Sequence, residues 1–248
     1  MCIRDRISLG SENPKEDRKV LDLLLARRVD GIILQAPQAT HKINDDYVRS
    51  LAEEVPIIII GRQIPGLEKQ CVIVKNFDGA YLATSHLIAK GHRAIAHITG
   101  MLWVEDAAQR RDGYCQALRD HEIEVVPELI IEGDFSETSG SQAVDVLLSR
   151  REAFPFSAIF AGNDQMAIGA RLALYYRRIG VPEEVSLVGF DDLLGTQYMI
   201  PPLTTIRQPM FYMGLMATQA LLAIFSGEPF NLPVFPLELV IRQSVAIH

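Results

Sequence analysis

Strand-type apolar runs alternate along this chain with segments whose apolar positions recur every three or four residues. That alternation predicts a parallel-sheet α/β protein. Ile7–Leu9 reads as a strand remnant, and Asn13-Pro14-Lys15-Glu16 opens a helix: Asn13 suits the cap, Pro14 the first position and Glu16 the capping box. This helix is expected to bury Val20, Leu21, Leu24 and Leu25 and to end near Arg28. Strands follow at Val29–Leu34 and Ile57–Ile60, with a helix at about Asp45–Glu54 between them. Four consecutive isoleucines demand burial on both faces of a sheet. Cys71–Val74 adds a short strand, and a helix from about Asp78 to Lys90 stops at Gly91.

A fresh series begins with the strand Ala94–Ile98. A helix at about Asp106–Asp120, a strand at Leu129–Glu132 and a helix at about Thr138–Arg150 lead to the unit Ser157–Asp192. There, strand Ser157–Ala161 is followed by a helix capped by Asn163 or Asp164 and closed at Gly180, then by strand Val185–Gly189. Such a crossover joins parallel strands with a right-handed connection. Asn163, Asp164, Asp191 and Asp192 lie just beyond the carboxyl ends of its strands, the edge at which open α/β sheets bind ligands. Leu203–Ile206, an uncharged helix at Met210–Phe225 and one or two strands within Pro233–Arg242 complete the pattern. The first series has too few strands for a complete domain, whereas the second could stand alone. The expectation is two lobes, the first truncated at its N-terminus.

Composition narrows the function. The 248 residues carry a net charge of −7, so they lack the basic footprint of a nucleic-acid-binding surface. Cys2, Cys71 and Cys115 form no CxxC pair, which argues against a disulfide framework or a zinc site and for a reduced, cytoplasmic setting. Met1–Arg6 is too short and charged for a signal peptide. Thr218 and Gln219 interrupt the uncharged stretch, so a buried helix is expected there rather than a membrane span. No P-loop, GxGxxG, HExxH or GxSxG occurs, and the six histidines show no ligand spacing, so neither an enzyme nor a metal or cofactor site is expected. His92 and His97 read as structural.

Six segments in order, GAYLATSHLIAKGHRAIAHITG, RRDGYCQAL, GDF, AIFAGNDQMAIGA, VPEEVSLVGFDD and IPPLTTIRQP, resemble the lactose/galactose-repressor (LacI/GalR) family of bacterial transcription regulators. The resemblance runs from about Ile7 to the C-terminus. It implies a two-lobed core like that of type I periplasmic sugar-binding proteins: residues 1–91 plus 208–231 in an incomplete N-terminal lobe, 92–207 plus 232–248 in the C-terminal lobe. Crossings between lobes would fall near Gly91–Arg93, Ile206–Gln208 and Phe230–Phe235. The family's helix-turn-helix headpiece has no counterpart here, Met1–Arg6 fits no part of the pattern, and a fragment of a longer regulator is expected. Implied partners are a small-molecule effector, a second copy of the chain through the apolar helix, and operator DNA only through the missing headpiece.

The resemblance also nominates an effector site. Arg110, in R-x-x-G-Y, would match the family's effector-gripping arginine, whose planar fork suits ring oxygens, vicinal hydroxyls or a carboxylate; a surface salt bridge is the alternative. Asp191 would accept from sugar hydroxyls, or serve only as a turn or cap residue. Asn163 offers a donor and an acceptor but suits simple capping equally. Phe135 would give an aromatic face or pack in the core. Asp78 would reach the site from the other lobe, although N-capping is the stronger claim on it. Gln208 is a ligand contact or a hinge bond, and Trp103 a stacking candidate. Gly61 and Lys75 stand where family members often carry aspartates before Arg62 and Asn76, which leaves the ligand open. The expected function is an effector-binding, dimerising core of a repressor, with a solute-binding protein of a sugar transport system as the competing reading.

Overall fold

The structure is a computed structural model that describes residues 14–35 and 45–248. The predicted strand Ile7–Leu9 and the cap at Asn13 lie outside those residues. The chain divides into two compact units: the described residues up to Ile73 with Met210–Val234, and Val74–Pro209 with Phe235–His248.

The first unit holds three parallel strands, β1 (Ile32–Gln35), β2 (Ile57–Ile60) and β3 (Cys71–Val72), in that order across the sheet. Ile57, Ile58 and Ile59 are fully buried, as a strand covered on both faces requires. Helices α1 (Pro14–Ala26) and α2 (Asp45–Glu54) belong to this unit, and Leu21, Val48 and Leu51 join the isoleucines in one core.

The second unit is a six-stranded sheet. Its strands in chain order are β4 (Ile95–Thr99), β5 (Ile130–Glu132), β6 (Ala158–Ala161), β7 (Ser186–Asp191), β8 (Thr204–Arg207) and β9 (Glu238–Val240), and in space they run β5-β4-β6-β7-β8-β9. All pairs are parallel except β8 with β9. Helices α3 (Asn76–Ala89) and α4 (Glu105–Asp120) cover one face, α5 (Glu137–Ser149) and α6 (Asp164–Tyr176) the other. The strands supply both faces by alternation: Ala158 and Phe160 enter the core under α3 and α4, Ile159 and Ala161 the core under α5 and α6. Helix α4 leaves β4 on one face and α5 returns to β6 on the other, which makes the β4–β6 gap a topological switch point.

Two expectations need correction. The first boundary between units falls at Ile73/Val74, not at Gly91–Arg93, because α3 turns Ala80, Ala83 and Leu87 onto Phe160, Val188 and Phe190 of the second sheet. Residues 74–91 therefore belong with the second unit. Helix α6 ends at Tyr176, and Gly180 takes no left-handed conformation. Arg178 does instead (φ 59°), while Ile179 N–H donates to the Leu174 carbonyl in a Schellman-type closure.

The last helix, α7 (Met210–Ser226), belongs to the first unit and buries Met213, Ala217 and Ala220 along one stripe. Among the described residues no helix is long and apolar enough to cross a membrane.

Helices α5 and α6 meet at backbone distance across glycines. A methyl on Gly140 would lie 2.1 Å from the Met166 carbonyl oxygen, and one on Gly169 1.8 Å from that of Glu137. Gly140→Ala and Gly169→Ala should each cost about 1–3 kcal/mol or more by overpacking. Gly195→Ala, which meets nothing within 4 Å, should stay within about 0.5 kcal/mol of the parent in thermal denaturation.

Candidate functional site

The carboxyl ends of β4, β6, β7 and β8 form one rim of the second unit, and a buried arginine sits among them. Arg110 lies on the second turn of α4 with only 4% of its surface exposed. Its Nε donates to Asn76 Oδ1 (2.8 Å) and its Nη1 to the Gly162 carbonyl (2.6 Å), just past β6. Two carboxylates flank it: Asp191 Oδ1 is 3.9 Å from Nη1 and Asp106 Oδ2 3.9 Å from Nη2. The Phe190 ring lies against the guanidinium plane, 3.8 Å from its central carbon. Asn76 Nδ2 donates to Asp106 Oδ1 (2.8 Å), which closes a triangle between the starts of α3 and α4.

Asp191 is the second pivot. Gln208 Nε2 donates to its Oδ1 at 2.6 Å. Burial pushes the Asp191 carboxyl up, offset only in part by Arg110 and Gln208, and burial likewise raises Asp106 against the pull of Arg110. Asp192 faces elsewhere: Arg242 Nη2 (2.5 Å) and Arg207 Nε (2.7 Å) occupy its two oxygens. Burial alone would raise its carboxyl, yet those bonds hold it below the ordinary value. The divergence of the two side chains requires left-handed backbone at both residues, φ 124° at Asp191 and 60° at Asp192, a costly arrangement outside glycine.

Asp164 anchors that turn from below. Its Oδ2 accepts from Leu193 N–H (2.8 Å) and its Oδ1 from the Thr205 hydroxyl (2.6 Å). Gly189 leaves it room, since a methyl there would come within 2.2 Å of Oδ1. Burial raises the Asp164 carboxyl to about 7.

The structure therefore brings Arg110, Asp191 and Gln208 together, Gln208 hydrogen-bonded to Asp191 and Arg110 at 3.9 Å from it, and distributes the other nominees differently. Asn163 caps α6 through Met166 N–H (2.9 Å) and spends its amide on the Phe135 carbonyl (2.9 Å). Phe135 is 7% exposed in the core under α5 and α6, at positive φ (70°), with its ring on the backbone of Gly100. Asp78 is not an N-cap: α3 starts two residues earlier with Lys75 in the cap position, and Asp78 makes an exposed ion pair with Lys75 Nζ at 3.2 Å. Trp103 is 44% exposed. Sequence reasoning missed Asp106, whose i, i+4 spacing from Arg110 was a legible signal, and Asn76, 34 residues away, which had none. His97 is a core residue, its Nδ1 2.8 Å from the Phe160 carbonyl and its ring stacked on Phe160 and Tyr114; burial lowers it to about 4, so the ring is neutral at pH 7. Among the described residues no cluster of histidine, cysteine and carboxylate side chains fits a metal ion.

A mostly parallel sheet covered by helices on both faces, with a polar constellation at its switch point, is an α/β architecture of the periplasmic-binding-protein class. Residues 84–245 match the family described as periplasmic binding protein-like domain. The regulator GalR of Salmonella typhimurium is 37% identical over 97% of this chain and 69% of its own length. Among solved structures, a sugar-binding LacI-family regulator from Escherichia coli complexed with phosphate superposes with a TM-score of 0.83 at 30% identity, covering 95% of this chain and 84% of that one. The lac repressor dimer bound to operator and an anti-inducer gives a TM-score of 0.79 at 30% identity over 94% and 80%. The chain belongs to the LacI/GalR family of transcriptional regulators. Its homologues are regulators and not enzymes.

The buried Asp164 carries a pH prediction. Its carboxyl rises from about 3.9 in the unfolded chain to about 7 in the folded one, so its contribution is full below the lower value and is lost as pH rises through the upper. An Asn at this position can keep both bonds, accepting from Leu193 and donating to a rotated Thr205 hydroxyl. Asp164→Asn should therefore gain on the parent by more than about 1 kcal/mol between pH 5 and 8 in chemical denaturation.

Proposed function

We propose that this chain is the effector-sensing and dimerisation core of a cytoplasmic transcriptional repressor. A small polar metabolite, with a sugar as the first candidate, binds at the Arg110–Asp191–Gln208 chain. Lobe closure around it changes operator affinity through a DNA-binding headpiece in the intact regulator. The observation that carries this reading is the bond from Gln208 to Asp191, because Gln208 stands immediately before the point at which the chain leaves the second unit. A ligand that engages Asp191 acts on that crossing segment, and its differential affinity for two arrangements of the units sets the coupling. Asp191 accepts from hydroxyls and Arg110 donates to ring or hydroxyl oxygens, which is sugar chemistry. The lobe assignment follows the two compact units, with the crossings at residues 73–74, 209–210 and 234–235. A transport-type solute-binding protein shares this fold, but the relatives named above are regulators.

Helix α7 supports self-association. It carries no charged residue, and Phe211 (76%), Tyr212 (60%) and Leu215 (39%) stay exposed opposite its buried stripe. Exposed apolar faces of this kind mark association surfaces.

Two outcomes test the proposal. A sugar identified by thermal shift should lose at least about tenfold in affinity with Asp191→Asn or Arg110→Lys, because each removes one geometrically matched charged contact; unchanged affinity in both, with folding retained, would move the site elsewhere. Sedimentation should find the parent dimeric and Phe211→Glu monomeric with its native circular dichroism retained and a lower, concentration-independent melting temperature; a parent that stays monomeric at high concentration refutes the α7 interface.

A further inference from the structure

The site as built on the second unit carries a charge bias that the effector reading does not specify. One guanidinium is shared between two carboxylates, Asp106 and Asp191, each 3.9 Å from a different terminal nitrogen. Asn76 Oδ1 and the Gly162 carbonyl take two of its other donor directions, and Phe190 covers a face. The remaining N–H groups of Arg110 face Asp106 and Asp191 at 3.9 Å without a hydrogen bond, so a phosphate or carboxylate that took them would stand beside both carboxylates, whereas a neutral oxygen would not be repelled. The other cations of this region are engaged too. Arg207 and Arg242 bind Asp192, and Lys75 pairs with Asp78. Acceptors, in contrast, are in surplus. Asp191 Oδ1 accepts from Gln208 and has Arg110 Nη1 3.9 Å away, and among the described residues no hydrogen bond reaches its Oδ2. What such a site lacks is hydroxyl donors without added negative charge.

We infer that this site selects an uncharged, hydroxyl-rich ligand against its phosphorylated or carboxylated counterpart, and that Asp106 is the residue that sets the discrimination. The inference rests on the effector-binding reading above and deepens it. Asp106 does not need to touch the ligand to act. It stands 3.9 Å from the second terminal nitrogen of Arg110 and adds the second negative charge that an anion must approach. Asn in its place can still accept from Asn76 Nδ2, so the α3–α4 link survives while the charge goes.

The test uses the full chain, isothermal titration calorimetry and paired probes: glucose with glucose 6-phosphate, and galactose with galacturonate. The neutral member of a binding pair should bind at least about tenfold more tightly than its anionic counterpart. Asp106→Asn should shrink that ratio severalfold, chiefly by improved binding of the anion, and raised ionic strength should shrink it in the parent. Asp106→Ser provides the same readout should the Asn variant misfold. An anion that binds the parent as tightly as its neutral partner overturns the inference and leaves the effector reading intact, as does a ratio that Asp106→Asn and Asp106→Ser both leave unchanged. Silence from all four probes overturns the inference together with the sugar reading.

Discussion

A guanidinium taken almost wholly out of water needs partners on every side, and this requirement ties the second unit together. Stripping one partner from such a charge costs on the order of 3–5 kcal/mol, so Arg110 stays buried only while Asn76, Asp106, Gly162, Phe190 and Asp191 stay in place. Those partners come from the starts of α3 and α4, the end of β6 and the end of β7. Each element is thereby fixed at its rim end, while apolar packing fixes its middle. Lysine would not serve here: a single ammonium cannot reach a carbonyl, an amide oxygen and two carboxylates along fixed, coplanar directions.

The rim itself is expensive. Asp191 and Asp192 both adopt left-handed backbone without being glycine, and the buried Asp164 carries a carboxyl that prefers its proton up to about 7. Neither feature improves the core. Together they aim two adjacent carboxylates in opposite directions, one toward Arg110 and Gln208 and the other toward Arg207 and Arg242. Strain concentrated at one turn, with a dedicated anchor beneath it, is the pattern expected where orientation matters more than stability. The rigid background is supplied by α5 and α6, whose contact across Gly140 and Gly169 leaves no room for a methyl group.

Periodicity made most of the elements legible. The isoleucine run, the Ser157–Asp192 crossover and the apolar final helix each carry their signal within one local window, and each lies within a few residues of its expected place. The errors fall where the deciding contact is remote. Helix α3 looked like the end of the first lobe because sequence order groups it with what precedes it, yet its alanine stripe fits Phe160 and Phe190, which lie far along the chain. Helix α6 was expected to close at a glycine, but backbone bonds to Leu174 and Tyr175 close it earlier and force Arg178 into the conformation a glycine would favour. At the candidate site, the family resemblance nominated Arg110, Asp191 and Gln208, which the structure places next to one another. Asn76 was not, because a hydrogen bond between two helix starts leaves no pattern in either helix. Asn163 shows the opposite limit: its capping role was visible, and that role leaves its amide committed to Phe135.

The order of these contacts along the chain bears on how the proposed sensor would transmit a signal. Gln208 holds Asp191 through a 2.6 Å bond and is followed within two residues by the uncharged helix α7 of the other unit. A ligand hydroxyl that took over Asp191 Oδ1 would weaken that bond, whose far end leads directly into the helix proposed to pair with a second copy, whereas one that donates to Oδ2 would leave it in place. Coupling between an effector and a dimer needs a two-state element that both of them bias. The two residues Gln208 and Pro209, between β8 and α7, place the proposed ligand contact and the proposed self-association surface within a few residues of each other. Because linkage is reciprocal, whatever dimer geometry favours an intact Gln208–Asp191 bond must also lower the affinity for a ligand that breaks it.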